Sequence, residues 1–494
     1  MSAARLLYSV EQVRAFDRHA IEVLHIPGYT LMKRAGEAAL RALRSRWPRA
    51  TQIAVVCGGG NNGGDGYVLA RFGRAAGLQV IVLAAVPVAQ LRGDARQAAD
   101  DFLSSGGHVE PFSAAGLLQG EVIVDALLGT GVREPLRADA QLVIRAINHC
   151  GRPVLALDLP SGLDGDTGRE LGEAVRADCT ITFVAAKCGL LLGAGPDCTG
   201  RLIIDDLEVP ALPVEHSPPV LECLSAKDIA RALPPRPRQA NKGDFGRVLI
   251  IGGAPGMPGA VRLAGESCLR VGAGLVHVAC APVNVAGIAA GRPELMSLGL
   301  ESVADLAPLL READVVAIGP GLGRTEWSRQ LWSAALNSGK PLVIDADALN
   351  LLAESGERAP PAILTPHPGE AARLLGTDAA SVQRDRVGAL NALLARHGGV
   401  VILKGAGTLI GAAGHVTALC ESGNPGMASA GMGDVLTGAV AGILAQCRDP
   451  WQAAVAAVQA HAMAGDELAR VHGQRGILAL EVAAGLTRWI NGQE

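Results

Sequence analysis

Short apolar runs recur along the chain, and several stop at a glycine or an acidic residue. In the first half they occupy 52–56, 79–84, 121–126, 153–158, 179–184 and 201–205, and helical patterns such as 67–76 and 138–148 separate most of them. The second half repeats the theme at 247–251, 275–280, 314–318, 341–345, 362–365 and 400–404, then ends in three helical segments near 434–447, 451–471 and 477–490. Continuous apolar strands alternating with helices predict parallel sheets covered on both faces. The expected class is α/β, with two three-layer αβα domains, since 494 residues is about three times the usual allowance for one domain. Seven of the 28 prolines fall between Pro210 and Pro237, a density that helices and central strands do not tolerate. One short helical interlude at 225–233 interrupts it, with Ser225 as N-cap and Asp228 in the first turn. The boundary is placed there, giving domains at 1–215 and 222–494. Ligands of such sheets sit beyond the C-terminal ends of strands, so each strand end is a place to look for chemistry.

Composition removes several function classes. The 44 Lys plus Arg against 48 Asp plus Glu leave a net charge of -4, which argues against an electrostatic grip on nucleic acid or anionic lipid. Aromatic residues at 3% are too few for a base-stacking platform, and 49% apolar residues exclude global disorder. The ten cysteines form no C-x-x-C or zinc pattern. Most sit in apolar runs, as reduced buried thiols do in a cytosol. Residues 1–20 contain Arg5, Glu11, Arg14, Asp17 and Arg18 and no apolar h-region, so no signal peptide is expected. The longest uncharged stretch, 271–291, contains His277, Pro282 and Asn284 and reads as strand and loop, not a membrane span. The expected location is cytoplasmic.

Run 52–56 leads into Gly58-Gly59-Gly60-Asn61-Asn62-Gly63-Gly64-Asp65-Gly66 and then a helix. Glycine and asparagine let a backbone turn with φ > 0 and aim N–H groups at a ligand, with a helix N-terminus behind them to favour phosphate. The spelling is neither the dinucleotide-fold G-x-G-x-x-G nor a P-loop. A second run ends Val124-Asp125-Ala126-Leu127-Leu128-Gly129-Thr130-Gly131, and a third gives Leu157-Asp158-Leu159-Pro160-Ser161-Gly162-Leu163-Asp164. Asp158 stands where a strand stops, a position suited to acid–base work or cation binding. Asn62, Asp125 and Ser161 offer hard oxygen donors on neighbouring strand ends, a candidate alkali-cation site. Lys187 either meets the same pocket or caps a helix, and spacing leaves both open.

These three segments, in this order, resemble the NAD(P)HX epimerase family. The resemblance implies a Rossmann-like three-layer sandwich and a reaction that interconverts the R and S hydrates of NADH or NADPH at C6 of the nicotinamide ring. It also implies that Asn61, Asn62, Gly63, Gly64 and Asp65, with Gly129, Thr130, Gly131, Val132, Arg133, Glu134 and Pro135, hold the damaged dinucleotide. Asn62, Asp125 and Ser161 would bind potassium, and Asp158 would face the substrate. One positioned carboxylate suffices for the proton work. Asp158 is therefore the catalytic candidate, with Lys187 as the alternative.

Near the end of the chain stands Asn424-Pro425-Gly426-Met427-Ala428-Ser429-Ala430-Gly431-Met432-Gly433-Asp434. A Gly-x-Gly-Asp turn opening a helix presents N–H groups to a phosphoryl group, and its Asp can take a proton from an attacking hydroxyl. Those are the two halves of phosphoryl transfer. Other strand ends agree: Lys404-Gly405-Ala406-Gly407-Thr408 as a nucleotide cradle, Gly319-Pro320-Gly321-Leu322-Gly323, Thr365-Pro366-His367-Pro368, the acids Asp345 and Asp347, and Gly252-Gly253 leading to Ala260. From Asn241 to Asp434 the motifs resemble the NAD(P)H-hydrate dehydratase family of the ribokinase-like superfamily. The resemblance implies adenine-nucleotide contacts from Lys404, Gly405, Ala406, Gly407, Thr408 and Gly433, and hydrate contacts from Ala260, Gly321 or Gly323, His367 and Asp434. Asp434 would be the base, ADP the phosphoryl donor with Mg2+, and AMP and phosphate the products.

The whole chain thus resembles the bifunctional NAD(P)H-hydrate repair family, in which one site accepts one epimer and the other supplies it. Expected partners are NADHX, NADPHX and ADP, with no nucleic acid or membrane, in a homo-oligomer. The rival reading is a ribokinase-type small-molecule kinase with an accessory nucleotide-binding domain, which leaves the Asn-Asn-Gly-Gly-Asp segment unexplained. A non-enzymatic module that recruits proteins would not need acids at three strand ends.

Overall fold

The computed structural model describes residues 5–131, 135–210 and 217–492. The expected contacts from Val132, Arg133 and Glu134 therefore lie outside the described residues. One compact unit spans Leu6–Leu221, and the other combines Met1–Arg5 with Glu222–Glu494.

In the first unit, strands β1 (Leu6–Tyr8), β2 (Gln52–Cys57), β3 (Gln79–Ala84), β4 (Val109–Pro111), β5 (Val122–Ala126), β6 (Val154–Leu157), β7 (Cys179–Phe183), β8 (Ala186–Lys187) and β9 (Arg201–Asp205) alternate with helices α1 (Val10–Glu22), α2 (Gly28–Arg46), α3 (Asn61–Ala75), α4 (Gly93–Ser104), α5 (Ala114–Leu117), α6 (Ala138–His149) and α7 (Gly195–Thr199). Seven of these strands form one all-parallel sheet in the order β4-β3-β2-β5-β6-β7-β9. Successive strand residues fill opposite cores. Ile53, Val55, Val122 and Val124 pack with α2, α3 and α4, while Ala54, Val56, Ile123 and Ala156 pack with α6. Burial on both faces is why these strands read as unbroken apolar runs.

The chain winds from β2 outward through β3 to β4, then returns to β5 and winds the other way. That reversal leaves a crevice beyond the ends of β2 and β5, where open α/β sheets bind ligands. Both glycine segments sit at its mouth. The local structure corrects one expectation: α3 starts at Asn61, inside the glycine segment, and none of its glycines has positive φ. Close approach explains them instead. A Cβ on Gly58 would lie 1.8 Å from the Leu127 carbonyl oxygen, and one on Gly63 2.1 Å from that of Gly58.

In the second unit, β10 (Leu221–Cys223) and α8 (Ala226–Ala232) lead into β11 (Arg247–Ile251), α9 (Pro258–Arg270), β12 (Leu275–Cys280), α10 (Val285–Gly291), β13 (Met296–Gly299), α11 (Leu306–Glu312), β14 (Val315–Ile318), α12 (Glu326–Leu336), β15 (Leu342–Ile344), α13 (Ala346–Ser355), β16 (Ala362–Leu364), α14 (Pro368–Leu375), α15 (Ala379–Arg384), α16 (Arg386–His397), β17 (Val400–Leu403), β18 (Thr408–Ala412), β19 (Thr417–Cys420), α17 (Met432–Cys447), α18 (Pro450–His472) and α19 (Ala479–Ile490). The order β13-β12-β11-β14-β15-β16-β17-β18-β19 is parallel through β17, and β18 and β19 are antiparallel. One face packs Val248, Ile250, Val315 and Val343 against α9, α17, α18 and α19. Winding reverses between β11 and β14, and the loops there are sewn together: Gly253 N donates to Pro320 O (3.0 Å) and Ala254 N to Gly321 O (2.7 Å).

Two candidate active sites

In the first unit the crevice is a cavity of about 750 Å³. It is lined by Asn61, Asn62, Asp65, Gly129, Thr130, Gly131, Asp158 and Lys187, whereas Gly63 and Gly64 are buried within α3 and, like Pro135, are not part of its lining. Asp158 leaves β6 with left-handed backbone (φ 65°), a conformation Asp adopts more readily than most residues. Its carboxylate is ion-paired with Lys187, whose side chain is 1% exposed and whose Nζ also donates to Thr182 Oγ1 (2.9 Å) and the Phe183 carbonyl (3.0 Å). Lys187 therefore meets the pocket and does not cap a helix.

On the neighbouring strand β5, Asp125 is fully buried. It accepts hydrogen bonds from Ser161 Oγ (2.6 Å), Ser161 N (2.8 Å) and Leu127 N (3.2 Å). Asn62 Nδ2 donates to Leu128 O (3.0 Å), the carbonyl that also receives Ser161 Oγ (3.2 Å). Asn62 Oδ1 is buried and, among the described residues, has no hydrogen-bond partner. Burial pushes the Asp125 carboxyl up to about 6 despite those three donors. Sequence reasoning missed Asp17 and Arg14, which α1 delivers to the cavity wall together with Val13 and Ile21. Their signal was the helical spacing 13, 17, 21. The helix is anchored by the pairing of β1 with β8, Tyr8 opposite Lys187, and by Val10 N donating to Asp166 Oδ1 (2.7 Å).

In the second unit the strand ends converge on Asp345 and Lys404. Asp345 accepts from Lys404 Nζ (2.7 Å), Thr365 Oγ1 (2.8 Å) and Thr437 Oγ1 (2.6 Å). Burial alone would raise its pKa, but Lys404 and the two hydroxyls outweigh it and the net shift is downward. Glu370 Oε2 lies 3.8 Å from Lys404 Nζ. The helix α17 begins at left-handed Gly431 (φ 88°), and a Cβ on Gly433 would stand 3.3 Å from Lys404 Nζ. Asp434, in that first turn, is only partly buried. Burial, and then the negative charges of Asp345, Asp347 and Glu370, push its carboxyl up to about 7 against the opposing pull of Lys404.

Around them, Gly321 lies against Ala260 and Met257, and Gly323 N donates to Asp347 Oδ2 (2.8 Å). His367 caps α14, its Nδ1 accepting from Gly369 N (3.0 Å) and Glu370 N (3.4 Å). The turn Lys404-Gly405-Ala406-Gly407 is held from below by Arg386, another residue the motifs did not reveal. Its Nη2 donates to the carbonyls of Leu403 (3.1 Å), Lys404 (3.3 Å) and Gly407 (3.2 Å), and its Nη1 to Gln383 Oε1 (2.8 Å).

Residues 248–488 match the family described as NAD(P)H-hydrate dehydratase, and residues 28–189 the family described as YjeF-related protein N-terminus. The bifunctional NAD(P)H-hydrate repair enzyme of Coxiella burnetii is 47% identical over 98% of this chain and 99% of its own length. The chain belongs to that family. The enzyme of the same name from Escherichia coli is 42% identical over 99% of this chain and 95% of its own. Among solved structures, a ribokinase-like superfamily protein from Enterococcus faecalis is 30% identical, with a TM-score of 0.52, and covers 56% of this chain and 97% of that one. The match supports a ribokinase-like fold for the second unit. Among the described residues no helix is long and apolar enough to cross a membrane.

Proposed function

We propose that this chain repairs hydrated nicotinamide dinucleotides at both sites. The first site epimerises R- and S-NAD(P)HX, and the second dehydrates the S epimer to NAD(P)H at the expense of ADP. The observation that carries the second half is Asp434, partly exposed at the amino end of α17 and beside Lys404. A carboxylate with a raised pKa is a competent base near neutral pH, and the N–H groups of the turn beside it stabilise phosphoryl oxygens.

Asp434 takes the proton of the C6 hydroxyl as that oxygen attacks the β-phosphorus of ADP, releasing AMP. The ring nitrogen's lone pair then expels phosphate by breaking C6–O, and loss of a C5 proton restores the C5=C6 bond of NADH. Lys404 and the 404–408 turn hold the nucleotide, while Ala260, Gly321, Gly323 and His367 line the hydrate side. Mg2+, brought in with the ADP phosphates and water, would supply charge neutralisation there.

In the first site Asn61 to Asp65 and Gly129 to Pro135 bind the dinucleotide, and Asp158, paired with Lys187, acts at C6. The buried Asn62 Oδ1 without a partner, the buried Asp125 and the Ser161 hydroxyl suit a large monovalent cation such as K+, since all are hard oxygens and the set carries one charge. Bound there, the cation supplies positive potential beneath the 127–131 loop. K+ should therefore raise the unfolding temperature of the chain relative to a bulky organic cation, and Asn62→Ala should abolish that difference. Equal unfolding temperatures in the wild type would remove the cation site.

The central test is recovery of the reduced-nicotinamide absorbance from pure S-NADHX and ADP. Asp434→Asn should retain ADP binding and lose at least about 100-fold in turnover. Because the base acts only when ionised, wild-type turnover should fall as pH drops below about 7. Turnover retained in Asp434→Asn would overturn the assignment of the base.

A further inference from the structure

The first cavity holds a carboxyl that the chemistry above does not use. Asp17 projects from α1 into it, between Val13 and Ile21 on the same helical face, while Asp158 enters from the end of β6. Among the described residues Asp17 makes no side-chain hydrogen bond or ion pair, whereas Asp158 is engaged by Lys187. The charged groups that act on Asp17 are Lys187 and Asp158 from the sheet, Asp65 from α3 and its helical neighbour Arg18; Arg14 on its own helix donates instead to the Thr130 carbonyl (2.7 Å).

One carboxylate suffices for loss and return of the hydroxyl on a single face, but inversion at C6 also exchanges a proton on the opposite face. The hydroxyl must leave from one face with a proton, and water must add to the other face and give one up. A single carboxylate held by a lysine serves one of those faces.

We propose that Asp17 is the second proton-transfer group of the epimerase site, acting on the face of the hydrated ring away from Asp158. This rests on the epimerase reading given above. Protonated Asp17 donates to the C6 hydroxyl; C6–O breaks, water forms, and the lone pair of N1 closes an iminium. Water then adds to the opposite face and its proton passes to Asp158, which leaves C6 inverted and no net change of protons. The reverse direction exchanges the roles. Two carboxyls whose surroundings differ in this way form an acid–base pair. Burial, opposed by Lys187 and reinforced by Asp158, pushes the Asp17 carboxyl up to about 6, so it holds its proton where an ordinary aspartate would not. The pair works with one proton shared between its members, so epimerisation in both directions falls as pH rises through the Asp17 ionisation.

The experiment follows interconversion of R- and S-NADHX by chromatography, without ADP, using the full chain. Asp17→Asn should lose at least about tenfold in epimerisation and lose the falling limb of the pH–rate profile. Asp17→Glu should retain the limb. Dehydration of pure S-NADHX by the same preparations should be unchanged, which certifies the rest of the chain. A loss of less than tenfold in Asp17→Asn overturns the proposal, as does a falling limb that survives in it or is missing from the wild type. If the wild type does not epimerise at all, the epimerase reading itself fails, and that outcome is distinct from the others.

Discussion

Arg386 is 5% exposed, and among the described residues it has no carboxylate partner. Burying a guanidinium without a counter-charge is costly, and burial draws its pKa down to about 10. The carbonyls of Leu403, Lys404 and Gly407 compensate by accepting its hydrogens, which fixes those carbonyls inward. A Cβ on Gly405 would stand 2.9 Å from Arg386 Nη1, so the turn and the guanidinium are fitted to each other. Arg386→Met should raise the KM for ADP by at least about tenfold, the factor that 1.4 kcal/mol produces, since three carbonyls lose their donor. Steady-state kinetics with saturating S-NADHX would check this, and an unaltered KM would exclude Arg386 from shaping the turn. Nothing in the spacing of residues announces such a group, because an arginine at a helix start reads as solvated surface until its partners are known.

At the level of elements, the buried strands were legible because covering both faces leaves an uninterrupted apolar run. Gln79–Ala84, Arg201–Asp205, Arg247–Ile251 and Leu275–Cys280 begin and end where the pattern did. Short edge strands such as Val109–Pro111 and Met296–Gly299 were not legible, since half-exposed runs of that length carry no period. The start of α3 was misplaced for a different reason. Glycine was read as a licence for left-handed backbone, whereas at 58 and 63 it makes room for a carbonyl oxygen. Gly63→Ala, with its Cβ 2.1 Å from Gly58 O, should therefore lower the stability of the first unit by about 1–3 kcal/mol. It should also abolish epimerisation while sparing dehydration. A thermal scan with both assays tests this, and an unshifted transition would refute the packing argument. The acids that strand ends bring to the two sites, Asp158 after β6 and Asp345 after β15, were legible, whereas Asp17, delivered by a helix ahead of the first long strand, was not.

For the molecule as a whole, each unit has its own run of parallel strands, its own reversal of winding and its own core. Each site should then work when the other is disabled. A mixture of Asp158→Asn and Asp434→Asn chains should convert R-NADHX fully to NADH with ADP, although neither alone does so at an appreciable rate. Failure of the mixture, with each remaining activity intact, would show that product must pass within one chain. The first-unit reversal has one more consequence. Because the hollow beyond β2 and β5 is made by the path of the main chain, removing a catalytic side chain leaves the hollow behind. A chain crippled at both acids would remain a sponge for hydrated dinucleotide, and immobilised on a bead it would serve to fish that damage out of a cell extract.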